Sequence, residues 1–296
     1  MNRKTKKTAS LFAFAAAALY AVNIPVSKIL LKHIGAVMTA GLLYLGAGIG
    51  MLALKGIGNA LTQTPKRERF SKKEIPYVIS MVLLDIAAPI LLMIGITKTN
   101  SANVSLLNNF EIVATSLIAL VIFKEAISKK LWISIALVTL AGAVLSFEGG
   151  EALSFNSGSL FVLGACVCWG FENNCTKMLS NSDARKTVII KGLFSGMGSL
   201  VIALIKGETF PVLKWLFVAL LLGFVSYGLS IYFYIRAQKD LGAARTSAYY
   251  SVAPFFGVAF SFAFLGERPT LNFYIALLLM IVSTVLNARD TVASEK

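Results

Sequence analysis

Three carboxylates stand where a water-soluble protein has no reason to place them. Asp85, Glu111 and Glu172 each lie deep in a long run of apolar residues. Insertion scales put an acidic residue at the centre of a membrane helix at about 2.5–3.5 kcal/mol, so lipid-facing positions for all three would be wasteful. An interior or hydrated position is expected, serving as a proton site or as the counter-charge of a cationic group. The structural alternative is pairing with a neighbouring amide, hydroxyl or lysine.

The neighbours of these carboxylates share faces with them. Ser101, Ser105, Asn108, Glu111 and Thr115 recur every three or four residues, which puts them on one side of a helix. A later segment repeats the pattern with Ser247, Tyr250, Ser251, Pro254 and Ser261. Glu172 follows Trp169 by three residues, with Asn173 and Asn174 adjacent, and Asn23 follows Tyr20 by the same step. Tyr227, Ser230 and Tyr234 form another face, with Tyr234 placed to anchor at the headgroups. Aromatic walls beside carboxylates hold ammonium groups by cation–π attraction and ion pairing. The substrate-binding candidates are therefore Tyr20, Asn23, Asn108, Glu111, Trp169, Glu172, Tyr227, Ser247 and Tyr250. Glu111, Glu172 and Asp85 are the proton-coupling candidates. Pro25 and Pro254 each remove a backbone hydrogen bond and mark exposed carbonyls or hinges. Lys28 and Lys177 are expected to snorkel to headgroups, with gating or binding of a substrate carboxylate as the alternative. Lys191, one turn inside its segment, is expected to snorkel outright.

The elements that position these groups are membrane helices. The chain is 57% hydrophobic and 14% charged over 296 residues, against about 25% charged in a soluble domain. Ten segments approach the roughly 20 apolar residues a helix needs to cross the hydrocarbon core: Ser10–Leu31, Ala36–Leu54, Ile75–Thr97, Asn103–Phe123, Leu131–Phe147, Gly158–Met178, Thr187–Ile205, Leu213–Ile235, Ala244–Leu265 and Leu271–Asn287. With a cytoplasmic N-terminus, 22 of the 28 Lys and Arg fall inside and 6 outside, the bias that the positive-inside rule demands. The expected class is an all-α membrane protein with both termini cytoplasmic, in the inner membrane of a bacterium, its first span uncleaved.

The sequence also repeats itself. Ser10–Phe12, Tyr20-Ala21 and Ser27-Lys28-Ile29-Leu30 match Ser159–Phe161, Trp169-Gly170 and Thr176-Lys177-Met178-Leu179 at a constant offset of 149. Ser105 and the turn Lys124-Glu125 match Ser247 and Gly266-Glu267. The second and seventh segments carry GxxxG, at Gly46/Gly50 and Gly192/Gly196, which lets helices approach closely. Five spans per half, residues 1–150 and 151–296, make the second half enter from the opposite side. Such inverted repeats point to alternating access around a site near the midplane.

These features resemble the ten-span EamA-type branch of the drug/metabolite transporter superfamily, through the aromatic–small…Lys pattern of the first and sixth spans and the Glu125 and Glu267 turns. The resemblance covers essentially the whole chain. It implies a central cavity lined by spans one, three, four, six, eight and nine, with five and ten peripheral, and secondary transport or exchange without ATP hydrolysis. Tyr20 stands where members commonly have Trp. Members handle amino acids, nucleotide sugars, sugar phosphates, choline and other organic cations.

Other classes find little purchase. The net charge of +14 sits in short clusters between apolar runs without a nucleic-acid signature. Cys166, Cys168 and Cys175 have no CxxC spacing and His33 is the one histidine, so buried thiols are expected and neither metal, cofactor nor disulfide scaffold. A membrane enzyme would need a catalytic cluster that the sequence lacks. A non-transporting subunit would need a readout domain, and the longest loop is about Lys55–Glu74. The reading is a secondary transporter of small polar or amphipathic metabolites, amino acids or amine-bearing derivatives first, with choline-like organic cations or drugs as the alternative. Its partners are the lipid bilayer and a small-molecule substrate, with protons as coupling ions, and the protein itself is a monomer or homodimer.

Overall fold

Backbone polar groups in hydrocarbon have no water to bond, so an apolar chain of this kind must satisfy them within helices. The computed structural model describes residues 3–61, 71–122, 124, 129–148, 154–179, 184–241, 250, 252–267 and 270–293. Among them the chain forms ten helical rods. They are α1 (Arg3–Ala21 and Asn23–Leu30), α2 (Ala36–Leu61), α3 (Ile75–Lys98), α4 (Ser101–Leu107 and Phe110–Val121) and α5 (Lys129–Ser146) in the first half. The second half holds α6 (Ser157–Met178), α7 (Ala184–Ile190, a π segment Lys191–Ser195, and Gly196–Ile205), α8 (Leu213–Gly223, a π segment Phe224–Leu229, and Ser230–Leu241), α9 (Ala253–Leu265) and α10 (Leu271–Ala293). The remaining regular structure is a two-residue antiparallel ladder joining Phe147–Glu148 to Ser154–Phe155.

The rods fall on the ten expected segments, with local departures. Helix α2 runs seven residues past its expected end, to Leu61. Helix α4 begins at Ser101 and breaks at Asn108–Asn109. Pro25 and Pro254 both sit in the first turn of a helical piece rather than inside one, where the missing N–H is not needed. Pro89 is the proline within a described helix interior, in α3. Six stretches are long and apolar enough to cross a membrane: Thr8–Leu30, Ala36–Gly56, Ile75–Lys98, Ser101–Val121, Arg185–Ile205 and Leu213–Tyr234. Trp132–Leu145, Ala253–Leu265 and Leu271–Leu286 are shorter apolar helices.

Polarity is distributed inside out. Leu11, Leu83, Leu140, Val201, Leu221 and Leu278 are exposed, whereas Asn23, Ser27, Asp85, Asn108, Glu172 and Asn174 are buried. A bundle whose rim is oil-like and whose apolar core also encloses buried polar and charged side chains is built for a lipid solvent.

Contacts between the halves have an internal symmetry. Helix α3 packs on α6 and α8 packs on α1; α4 packs on α6 and α9 on α1; α2 packs on α8 and α7 on α3. Adding five to each helix number carries every one of these pairs into another. The pairs α2–α7, α4–α9 and α5–α10 map onto themselves. Along α5–α10, Ser134 Oγ donates to the Ser283 carbonyl at 2.8 Å and Ser283 Oγ donates to the Ser134 carbonyl at 3.1 Å. The two serines are 149 residues apart, the offset of the sequence repeat. A residue that exchanges identical bonds with its own equivalent is what a local two-fold axis produces.

Close approach along α2 depends on missing side chains. A Cβ at Gly46 would collide with the Leu220 carbonyl of α8, and one at Gly48 with backbone of α7 at Gly192 and Leu193. The two GxxxG pairs therefore do not face each other: Gly46 and Gly50 receive α8, while Gly192 and Gly196 receive α2 at Gly48 and Leu45. Across the gap between halves, carboxylates close helix ends. Glu208 accepts from the Val37 and Met38 amides at 3.2 and 2.7 Å, and Glu267 accepts from the Ser101 and Ala102 amides at 2.8 and 2.9 Å. Negative charge at a helix N-terminus also opposes the positive end of the helix dipole.

We expect Gly46→Ala to lower stability by about 1–3 kcal/mol, because the backbone it would strike cannot move like a side chain. Gly56→Ala, with open space around the new methyl, should be neutral or mildly stabilising. Thermal unfolding of the two variants in the same detergent checks the contrast.

Candidate functional site

Two of the three carboxylates, Asp85 and Glu172, are buried and meet at one lysine, while Glu111 is half-buried nearby. Asp85 Oδ2 of α3 lies 3.1 Å from Lys191 Nζ of α7, and Glu172 Oε1 of α6 lies 2.9 Å from the same nitrogen. Asp85 is 0% exposed, Glu172 2%, and the lysine side chain 13%. Lys191 opens the π segment of α7, where the extra residue per turn resets the helix register; such bulges are frequent at functional sites. The second carboxylate oxygen of Asp85 accepts from Tyr44 Oη at 2.9 Å, and Trp169 Nε1 donates to Tyr44 Oη at 3.4 Å. Glu172 Oε1 also accepts from the Thr176 hydroxyl. Four helices thus meet at one buried ion cluster. Its two carboxylates share one ammonium, so the fully ionised cluster carries one net negative charge.

An aromatic layer adjoins it. The Tyr44 and Tyr227 ring centroids are 5.1 Å apart, Tyr20 and Tyr227 6.0 Å in an edge-on contact, and Tyr20 and Tyr250 5.9 Å. Asn23 Nδ2 donates to Tyr227 Oη at 2.9 Å, while its carbonyl oxygen accepts from Ser27 at 3.0 Å. Asn108 Nδ2 reaches Tyr20 Oη at 3.4 Å. The break in α4 at Asn108–Asn109 lets this amide turn toward α1.

Glu111 is held differently. Its Oε1 accepts from Asn173 Nδ2 at 2.7 Å, an amide that also reaches Thr115 Oγ1 at 3.2 Å. Neighbouring Asn174 donates to the Gly170 and Thr115 carbonyls at 2.8 and 3.1 Å, locking α6 to α4. The carboxyl stands within electrostatic reach of Tyr20, Tyr227 and Tyr250. Among the described residues no lysine or arginine is within ion-pair distance of it.

Tyr20, Asn23, Asn108, Glu111, Trp169, Glu172, Tyr227, Tyr250 and Asp85 are therefore gathered into one region, while Ser247, Ser251 and Glu125 lie outside the described residues. Several expectations change. Lys191 does not snorkel: a reach of one turn is also enough to enter the core, where two carboxylates hold it. Lys28 is turned inward as well, donating to the Ile96 and Thr99 carbonyls at the C-terminal end of α3, where a cation is favoured. The Lys177 side chain lies outside what is described. Ser101 and Ser105 serve helix ends and contacts, Ser101 Oγ bonding Glu267 at 2.7 Å and Ser105 Oγ the Ser101 carbonyl at 2.8 Å. Tyr234 packs its ring on Tyr250 at 5.1 Å. Cys166 is buried, but Cys168 and Cys175 are half-buried.

Two members of the site were missed by the sequence reading, Tyr44 and Lys191. For Lys191 the signal existed, an ionisable residue within a membrane helix. Tyr44 had none, since one tyrosine in an apolar segment reads as packing.

A model of the EamA-like transporter family matches the chain twice, over residues 7–147 and 156–289. The chain belongs to the EamA-like transporter family. As an EamA-like protein it is a multi-pass membrane protein of a transporter family. An uncharacterized transporter of Methanothermobacter thermautotrophicus is 26% identical to it over 264 residues, covering 84% of this chain and 76% of that one. The uncharacterized transporter YyaM of Bacillus subtilis is 21% identical over 248 residues, with 79% of each chain covered. One solved crystal structure, 14% identical, superposes with a TM-score of 0.68 over 94% of both chains; at that identity the likeness shows the fold. Helices α5 and α10 contribute none of the site residues named above. Helices α2 and α7 supply Tyr44 and Lys191, which the family resemblance did not bring to notice.

We expect Tyr44→Phe in this EamA-like protein to cost about 1–3 kcal/mol, because one buried Asp85 oxygen and the Trp169 N–H lose their partner while the ring packing stays. Chemical or thermal unfolding of the purified variant measures the loss; a cost near zero would mean that water replaces the hydroxyl.

Proposed function

We propose that this EamA-like protein is a secondary transporter working by alternating access, whose cargo is a small metabolite carrying a positively charged amine. Amino acids and their amine-bearing derivatives lead, and choline-like organic cations follow. The observation that carries the reading is Glu111, a carboxylate with an amide for its hydrogen-bond neighbour and no cation within ion-pair distance among the described residues, within electrostatic reach of Tyr20, Tyr227 and Tyr250. Rings and a carboxylate together are the chemistry of ammonium recognition. Glu111 and Glu172 sit on adjoining helices, Asn173 bridging from α6 to Glu111, so a proton taken up by either would alter the charge that the substrate meets. Proton-coupled movement is part of the proposal.

The architecture proposed is two five-helix halves, residues 1–150 and 151–296, inserted in opposite senses with both termini in the cytoplasm of a bacterial cell. Its support is the exchange symmetry of the helix pairings, the mutual Ser134–Ser283 bonds, and the concentration of Lys and Arg on one side of the expected map.

The substrate class is tested by thermal shift of the purified protein against amino acids, polyamines, quaternary amines and nucleotide sugars. Ligand at 100 times its dissociation constant stabilises by about 2.7 kcal/mol. Amine-bearing compounds should shift the wild type and leave Glu111→Gln unmoved; stabilisation by anions alone would reject the reading. With the best amine, Glu111→Gln should remove the pH dependence of uptake into proteoliposomes, and pH dependence that persists would remove Glu111 from the coupling role. Terminal reporter fusions should both report the cytoplasm, and opposite sides for the two ends would end the inverted-repeat proposal.

A further inference from the structure

The ion cluster contains more cation-binding capacity than it uses. Two carboxylates from α3 and α6 face a single ammonium that arrives on a long, flexible stem from α7. Lysine is the most exposed of the three, at 13% against 0% and 2%. It is also rooted at the first residue of a π segment. Tyr44 fixes Asp85 from behind and Thr176 fixes Glu172, so the acidic pair is oriented independently of the lysine. Next along α6, Asn173 connects the pair to Glu111.

We propose that Asp85 and Glu172 form a second cation site, for a primary ammonium group, and that Lys191 is its tethered occupant when the carrier is empty. This deepens the amine-transport reading and rests on it for the identity of the cargo, though not for the site itself. Two bare carboxylates in a low-dielectric core would be strongly unfavourable. A carrier that has released its cargo needs a replacement charge, and Lys191 supplies one from within the chain. An amine entering the bundle must compete with an ammonium held at high effective concentration by its own backbone. Cutting away the tether should therefore uncover the site.

The probe is n-propylammonium chloride, whose three carbons and ammonium match the atoms that Lys191→Ala removes. Lys191→Ala should melt below the wild type. Millimolar n-propylammonium should then raise its midpoint by about 3 °C or more, at concentrations several times the dissociation constant. Wild type, with this site filled, should shift only by what the Glu111 site contributes, clearly less than Lys191→Ala. Tetramethylammonium chloride, which has no N–H to donate, should shift Lys191→Ala no more than the wild type. The variant Asp85→Asn/Glu172→Gln/Lys191→Ala should respond to the amine no more than the wild type does.

Equal shifts in wild type and Lys191→Ala, or a triple variant that responds as strongly as Lys191→Ala, would overturn the proposal. Where Lys191→Ala does not survive extraction, recovery of monodisperse protein in n-propylammonium against tetramethylammonium gives the same reading, and equal recovery overturns it. Glu111 is intact in every variant, so failure here leaves the Glu111 experiment standing. A failed amine screen on the wild type leaves this rescue open to success.

Discussion

One ammonium held between two carboxylates, with hydrocarbon all around, is the interaction on which the interior of this molecule depends. Lys191 draws α3, α6 and α7 to a common point. Through Tyr44 and Trp169 the same point governs α2 and the aromatic layer. In water such an ion pair contributes little. In a lipid solvent the alternative to pairing is an isolated buried charge, and removal of one partner of a buried pair is strongly destabilising. The cluster therefore fixes which helix faces turn inward. Apolar residues pack the remaining core and also cover the rim, where Leu83, Val201 and Leu221 are exposed.

The site has two unlike parts. Around Asp85 and Glu172 the charges are matched by a lysine and fixed by hydroxyl donors. Around Glu111 the hydrogen-bond partner is the Asn173 amide, a neutral group that orients without neutralising. Asn173 and Asn174 join the parts by fastening α6 to α4. On the proposed function, the first part supplies order and the second supplies appetite for a cation, and a proton or substrate amine reaching Glu111 is felt one residue away from the paired cluster.

Most of the fold was legible in the sequence because lipid leaves so few options. Apolar run length located all ten rods, and the spacing of Tyr20–Asn23 and Trp169–Glu172 located residues that do converge. What escaped were features with no periodic signature. A π segment adds one residue to a turn without changing composition, so Lys191 looked like a residue bound for the headgroups. The break at Asn108–Asn109 divides a stripe that appeared continuous, leaving Ser101 and Ser105 with helix-end duties and Asn108 with Tyr20. Partner choice for the glycines was equally hidden, since GxxxG tells that a neighbour comes close and not which neighbour. Glu267, read from sequence as a turn marker, and Glu208, which the sequence did not single out, cap helices of the opposite half.

The mutual bonds of Ser134 and Ser283 have a geometric consequence. When two halves of a carrier trade shapes, every off-axis contact must be broken on one side and rebuilt on the other. A contact lying on the axis is its own mirror in that trade and has nothing to rebuild. On the proposed inversion, the seam between α5 and α10 is a stationary pivot, and the rest of the bundle rocks about it while these two serines keep the same partners throughout the cycle.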